Sequence, residues 1–268
     1  VLKNGFSKVV IGISGGVDSA LVAAISVKAL GCSNVLGIAM PSKYNTEVSN
    51  TLAEKLCINL GIKLKALPIQ ELFDLNLSLL HENIFSNTTW DITEENLQSR
   101  IRSNILMAIS NKMNYMLLST GNKSEMSMGY STIYGDLAGG FAPLKDITKT
   151  MVYKLCTSYN KINPKNKIPN QIITREPTAE LRHDQKDSDT LPSYEILDEV
   201  LSLYIEKFWT VNEISNSLGV SKSFVRKIVN LVQKNEFKRR QGPPGVKVTD
   251  ISFGRDRRFP ITNGFENF

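Results

Sequence analysis

The sequence predicts an α/β fold: a mainly parallel sheet flanked by helices, Rossmann-like, with further helices at the C-terminal end. Strand and helix patterns alternate through the first 160 residues, the first strand runs directly into a glycine turn, and three shorter helical patterns close the chain. Val9–Ile13 is a short β-branched run, Asp18–Leu30 has helical spacing up to Gly31, and Asn34–Met40 is a second apolar strand ended by Pro41; the three form a βαβ unit. Thr46–Leu60 reads as a helix stopped by Gly61, Lys63–Ile69 as a third strand, Glu94–Met113 as a long helix and Tyr115–Thr120 as a fourth strand. Ligands bind such sheets beyond the carboxyl ends of the strands. Those ends are Ser14–Ser19, Pro41–Thr46 and Ser119–Glu125.

Residues 160–192 are rich in Pro, Asn and charge without a sustained apolar period, and read as a long loop or several short ones. Glu195–Lys207, Val211–Leu218 and Lys222–Gln233 read as helices, ahead of a basic, Gly/Pro-rich tail from Lys238. The 268 residues thus divide into a core (1–160), a loop region (160–192) and a helical region with its tail (193–268), with chain enough for a sizeable core. No apolar run approaches the roughly 18 residues of a membrane span. Cys32, Cys57 and Cys156 lack the spacing of a disulfide or zinc framework, and VLKNGFSKVV does not resemble a secretory signal, so a soluble cytoplasmic protein without a membrane partner is expected. The start beside the first strand is compatible with more protein upstream. A net charge of +6 and a pI near 9.1 point to anionic ligands, either nucleic acid or phosphorylated small molecules.

The stretch KVVIGISGGVDSALV, residues 8–22, carries the clearest chemistry. Gly15 and Gly16 let the backbone turn tightly against an oxyanion, the following helix offers unpaired N–H groups at its positive end, and Ser14 and Ser19 add hydroxyls. Asp18 is the odd member, because a bare carboxylate repels phosphate. A divalent cation shared between the two resolves the conflict, which makes Asp18 a candidate Mg2+ ligand. The Walker A pattern needs a Lys after its glycines and the dinucleotide fingerprint needs G-x-G-x-x-G; neither is present here.

SGGVDS resembles the pyrophosphate-binding loop of the N-type ATP pyrophosphatases, which include GMP, asparagine, argininosuccinate and NAD synthetases and tRNA-modifying ligases. The loop alone does not choose among them. Residues 117–149, LLSTGNKSEMSMGYSTIYGDLAGGFAPLKDITK, resemble the NAD synthetase family, above all the synthetase domain of its glutamine-dependent forms. NLQSRIRSN (96–104), REPTAELRHDQKDSDTLPSYEILD (175–198) and KRRQGPPGVKV (238–248) extend the resemblance over nearly the whole chain. It implies an adenine-nucleotide alpha-hydrolase-like fold and a ligase forming carbon–nitrogen bonds. Deamido-NAD would be adenylated by ATP and then amidated to NAD, releasing AMP and pyrophosphate. By motif, it assigns ATP to Gly12, Ile13, Ser14, Gly15, Gly16, Val17, Asp18, Ser19, Thr120, Lys149 and Thr178, and Mg2+ to Asp18 and Glu125. Deamido-NAD falls to Asn96, Arg100, Glu125 and Lys238. Asn96 and Arg100, at i and i+4, would share a helix face. The 175–190 segment would order over the site, with Asp184 and Lys186 joining Asp18 as candidate catalytic residues. A homodimer with the deamido-NAD site at its two-fold interface is implied too.

Ile133 and Gly140 stand where stand-alone ammonia-dependent members carry Lys and Asp, which favours the glutamine-dependent branch. That branch releases ammonia in an N-terminal amidase domain, so the chain from Val1 is expected to use free ammonia unless an amidase domain lies outside it. Two rivals remain. One is another amidating or tRNA-modifying pyrophosphatase. The other is a nucleic-acid binder, because WTVNEISNSLGVSKSFVRKIVNLVQ (209–233) has a helix–turn–helix pattern with Lys222, Ser223 and Arg226 outward. Neither histidine looks like half of a catalytic pair: His81 is expected in a polar turn, and His183 is kept as a candidate for chemistry in the loop region.

Overall fold

The computed structural model describes residues 1–262. Strands β1 (Val9–Gly12), β2 (Val35–Ala39), β3 (Lys63–Ala66) and β4 (Met116–Leu118) form one parallel sheet in the order β3-β2-β1-β4. The helices are α1 (Val17–Leu30), α2 (Glu47–Leu60), α3 (Gln70–Asn83), α4 (Ile92–Met113), α5 (Lys123–Met128) and α6 (Lys149–Ile162), followed by α7 (Asn170–Thr174), α8 (Tyr194–Leu201), α9 (Val211–Leu218), α10 (Lys222–Lys234) and α11 (Glu236–Arg239). After β3 the chain crosses to the far side of β1, so the strand order reverses between β1 and β4. The turns after these two strands, SGGVDS and STGN, therefore open at the switch point where parallel sheets bind ligands.

Successive residues of β1 face opposite sides of the sheet. Val9 and Ile11 pack with Ala20, Leu21 and Ala24 of α1, Leu56 of α2 and Val152 of α6. Val10 faces the other way, with Ile38, Leu117 and the α4 residues Ile101, Ile105 and Ile109. A second core joins Leu197 and Val200 of α8, Ile214 of α9 and Val225, Ile228, Val229 and Val232 of α10 to Met128 at the end of α5. The helical region is thereby packed onto the segment that follows β4.

The expected strands and helices are present, with ends moved by a few residues. The alternation read from the sequence misses α3, the short α5 and α6. In α3 only Phe73 is buried while Leu72, Leu75 and Leu79 are exposed, so its apolar residues mark no inward face. His81 lies in the last turn of that helix rather than in a polar turn. The loop region is more ordered than its composition indicates: α6 runs to Ile162, and α7 anchors Ile172 in the first core.

The tail is tied to α5 and to the segment before α6 by a buried ion cluster. Lys123, 1% exposed, donates from Nζ to Glu206 Oε1 (2.9 Å) and Thr249 Oγ1 (2.7 Å) and pairs with Asp146 Oδ1 (2.9 Å). Asp146 also accepts the N–H groups of Val248 and Thr249, both at 2.8 Å. Removing one member leaves the others charged, buried and unpaired, so Lys123→Ala is expected to lower stability in urea unfolding by about 3–5 kcal/mol. A loss below about 1 kcal/mol would show that the cluster relaxes into water.

Candidate active site

The turn after β1 is held in shape by its own serines. Ser14 Oγ accepts the Gly16 N–H (3.2 Å) and lies 3.2 Å from Ser19 Oγ, while Ser19 Oγ donates to Gly16 O (3.0 Å). Gly15 has φ +82°, and a Cβ there would collide with the Ser49 carbonyl oxygen, so glycine is required twice over. The α1 ladder opens with Ala20 N–H donating to Gly16 O (3.1 Å), and among the described residues no side chain caps this end. The earlier N–H groups and the positive end of the helix dipole are left for an external acceptor. Residues 12–19 all line one cavity of about 370 Å3.

Behind the turn, three distant segments meet at one ammonium. Lys149 Nζ, in the first turn of α6, donates to Asp18 Oδ2 (2.6 Å) and Glu125 Oε1 (3.1 Å). Asp18 Oδ1 accepts from Asn122 Nδ2 (2.9 Å), and Asn122 and Glu125 form the capping box of α5. Burial pushes the Glu125 carboxyl up to about 8 even though Lys149 opposes the shift. Burial disfavours the Lys149 ammonium too, but the charges of Asp18 and Glu125 together outweigh it and hold Lys149 protonated well above the usual lysine range. Asp187 adds a third carboxylate: Tyr194 OH donates to its Oδ2 (2.8 Å), while its buried Oδ1 has no hydrogen-bond partner among the described residues.

Three carboxyl groups meet one ammonium at this end of the cavity, and burial favours the neutral form of Glu125 and of Asp187, so a cation beside them would draw their protons off. Among the described residues no group of three or more His, Cys, Asp or Glu side chains closes into a metal cage. Asp18 and Glu125 supply hard oxygen donors for only part of a shell. That fits Mg2+, which commonly takes one or two carboxylates and fills its remaining positions with water and phosphate oxygens.

Residues 175–187 wall the cavity and are latched to the start of α2. Glu180 accepts from Ser49 Oγ (2.6 Å), Thr46 Oγ1 (3.0 Å), Asn45 Nδ2 (2.9 Å) and Arg175 Nη2 (2.6 Å). Burial alone would raise its pKa, but these hydrogen bonds outweigh burial and hold it below the ordinary value. Thr178, Gln185 and Asp187 line the cavity; Asp184 and Lys186 do not. Lys186 is extended, so its side chain alternates outward between its buried neighbours, and it pairs with exposed Glu176 (2.9 Å). Asp184 has φ +51° and is exposed at the bend.

On the α4 side, Asn96 lines the cavity and accepts from Thr132 Oγ1 (2.7 Å). Arg100 is exposed, lies outside the cavity and donates to Ile133 O (3.2 Å). Asn96, Ser99, Ser103 and Leu106 mark the cavity stripe of α4, and Arg100 is one residue, about 100°, around the helix from Ser99. Arg102 reaches the cavity instead, its Nε donating to Met40 O (3.0 Å). Lys238, on α11, donates to Gly129 O (2.7 Å) and Ser131 O (2.8 Å), and Thr120 lines the cavity beside β4. The sequence reading omits Arg102, Arg175, Glu180, Gln185 and Asp187. Only the length of the polar 175–187 stretch signals the last four.

A parallel sheet opening at its switch point onto an uncapped glycine turn, with a lysine and carboxylates behind it, defines an α/β protein whose ligand site lies beyond the carboxyl ends of its strands. More particularly, the chain belongs to the NAD synthase family, whose sequence model matches residues 1–242. It is 49% identical over 265 residues to the glutamine-dependent NAD(+) synthetase of Aquifex aeolicus, covering 99% of this chain and 46% of that protein. It is similar to the structure of glutamine-dependent NAD+ synthetase from Acinetobacter baumannii in complex with ADP, with TM-score 0.65 and 40% identity over 100% of this chain and 48% of that one. It is also similar to the NH3-dependent NAD synthetase from Campylobacter jejuni in complex with the nitrate ion, with TM-score 0.69 and 30% identity over 88% and 89% of the two chains. The chain spans about half the length of the curated relatives it matches.

The latch gives a pH signature. A carboxylate held below its ordinary value contributes stability that is complete above the unfolded glutamate value, about 4.3, and is lost as pH falls through the folded value. Glu180→Gln is therefore expected to be less stable than wild type at pH 7 in urea unfolding, with the gap narrowing below about pH 4. A gap that stays constant or widens in acid would contradict the latch.

Proposed function

We propose that the chain carries out the final step of NAD biosynthesis, the ATP-dependent amidation of deamido-NAD to NAD through an acyl-adenylate. One observation carries the reading: Lys149, Asp18 and Glu125 converge beside the open glycine turn, in a chain nearly half identical to a glutamine-dependent NAD(+) synthetase. The nicotinate carboxylate attacks the α-phosphorus of ATP, the bond to the bridging oxygen breaks, and pyrophosphate leaves against Ser14–Ser19. Ammonia then attacks the acyl carbon and AMP leaves with the bonding electron pair. No covalent protein nucleophile is needed, so the chain's own residues position reactants and stabilise phosphate charge.

The uncapped N–H groups of α1 and the Lys149 ammonium serve the phosphates, with Thr120 and Thr178 as further ATP contacts. Asp18 and Glu125 would hold Mg2+, which neutralises triphosphate charge when bound. Asn96 and Lys238, which line the cavity from α4 and α11, are assigned to deamido-NAD. Asp184, Lys186 and Arg100 point outward here, so the contribution of the 175–187 segment is assigned to buried Gln185 and Asp187. Arg100 remains for a deamido-NAD site completed by a second copy of the chain.

For residues 1–268 by themselves free ammonia is the assigned nitrogen donor, with glutamine the source where an amidase domain is joined to them. Burial pushes the Cys57 and Cys156 thiols up to about 12, which denies them the thiolate a cysteine glutaminase requires. Cys32 precedes β2, at the opposite end of the sheet from the cavity.

Chromatographic detection of NAD from ATP, deamido-NAD and ammonium chloride tests the reading directly. NAD, AMP and pyrophosphate in equal amounts are expected, with no turnover on glutamine alone. ATP consumption with another acceptor but not with deamido-NAD would move the chain to a sister pyrophosphatase. Asp18→Asn is expected to stay folded and lose about 100-fold or more in pyrophosphate release. Near-wild-type turnover at low Mg2+ would remove Asp18 from the site.

A further inference from the structure

Helix α8 belongs to the C-terminal helices and lines no part of the cavity, yet it grips the residues beside two of the site's charged groups. Asp198, 6% exposed, divides its carboxylate between two elements. Oδ1 accepts from Ser124 Oγ in α5, and Oδ2 accepts the Thr150 N–H in the first turn of α6 (2.8 Å). Ser124 adjoins Glu125, and Thr150 adjoins Lys149. Ser124 Oγ also accepts the Lys149 N–H (2.9 Å), so one hydroxyl joins the backbone of α6 to the carboxylate of α8. The α6 N-cap residue, Thr148, makes no side-chain cap of its own. The first turn of α6 is capped instead by groups from two other helices, and an anionic one sits where the dipole favours it.

One turn earlier on α8, Tyr194 lies under the Lys149 ammonium, which is 5.3 Å from the ring centroid, and its hydroxyl holds Asp187. Tyr194 and Asp198 are four residues apart and therefore share a helix face. One addresses the head of Lys149 and the other its backbone.

We infer that α8 is the positioning element of the phosphate site: Asp198, through Ser124 and the first turn of α6, sets the spacing at which the Lys149 ammonium meets Asp18 and Glu125. Asp198 is a positioning residue, since it touches neither the cavity nor the reacting groups. The inference rests on the assignment of Lys149 to ATP made above. It gives the C-terminal helices a part in nucleotide binding beyond that of a packing layer.

A double-mutant cycle on ATP affinity tests it, by calorimetric titration of the whole chain. Lys149→Ala is expected to weaken ATP binding by about 30-fold, the range of a buried charge-assisted contact, and Asp198→Asn by about 10-fold. If Asp198 acts through Lys149, the double variant binds no more weakly than Lys149→Ala alone. Losses that multiply to about 300-fold, or wild-type affinity in either single variant, would overturn the inference. Ser124→Ala, which leaves the Asp198–Thr150 bond in place, is the milder probe should Asp198→Asn not unfold cooperatively. A loss of about 3-fold is expected from it, vanishing in the Lys149→Ala background; a loss that persists there counts against the inference. NAD formation is measured in parallel. A coupled cycle without NAD formation would refute the proposed reaction and leave the positioning role standing.

Discussion

Asp18 and Glu125 face each other across a gap that water reaches poorly, and the Lys149 ammonium between them is what allows both to stay there. Burial alone favours the neutral form of Glu125, and a buried carboxylate left ionised without the ammonium costs several kcal/mol. The three groups come from the start of α1, the start of α5 and the start of α6, so the neutralisation also fixes how these helices meet at the sheet. On the proposed reading, the same ammonium and the same uncapped α1 turn would serve phosphate oxygens, and the carboxylates would share a divalent cation with them.

The rest of the molecule supports this junction from two sides. The 175–187 segment closes over it through Glu180, whose carboxylate gathers hydroxyl, amide and guanidinium donors around the α2 start. Inward residues Gln185 and Asp187 then face the cavity. From below, α8 brings Tyr194 to both Asp187 and Lys149, so closure of the segment and placement of the lysine run through one phenol. The α9–Gly219–α10 unit does have the outline of a helix–turn–helix. Its contribution within this fold is different: it packs on α5 and α8 and delivers α11, from which Lys238 reaches the cavity.

What could be read from the sequence was what is encoded locally. The glycine turn, Asp18, the alternating strands and the α9–α10 pair all follow from short-range patterns of chain stiffness and apolar spacing. Lys149 and Glu125 came from resemblance, since nothing in their neighbours announces that they meet. The phase of a surface helix is set by the wall it lines. That is why Arg100 was grouped with Asn96 although Ser99 and Ser103 continue the stripe and Arg102 enters the cavity. Around Lys186 an extended backbone alternates sides, and the anchor at Glu180 fixes which side is inward, so the charges of Asp184 and Lys186 stand out in the sequence while Gln185 and Asp187 line the cavity. Helix α3 was missed because its leucines are exposed, and the role of α8 because Asp198 acts at residues 48 and 74 positions away.

In the proposed reaction this junction activates a carboxylate by transferring adenylate to it. Isotope transfer tests it most directly: deamido-NAD labelled with 18O in its nicotinate carboxylate is turned over with ATP and ammonia, and the nucleotide products are weighed by mass spectrometry. Adenylation predicts that one 18O moves from the carboxylate into the phosphate of AMP, with unlabelled pyrophosphate. Label in inorganic phosphate alongside ADP, or AMP without label, would contradict it.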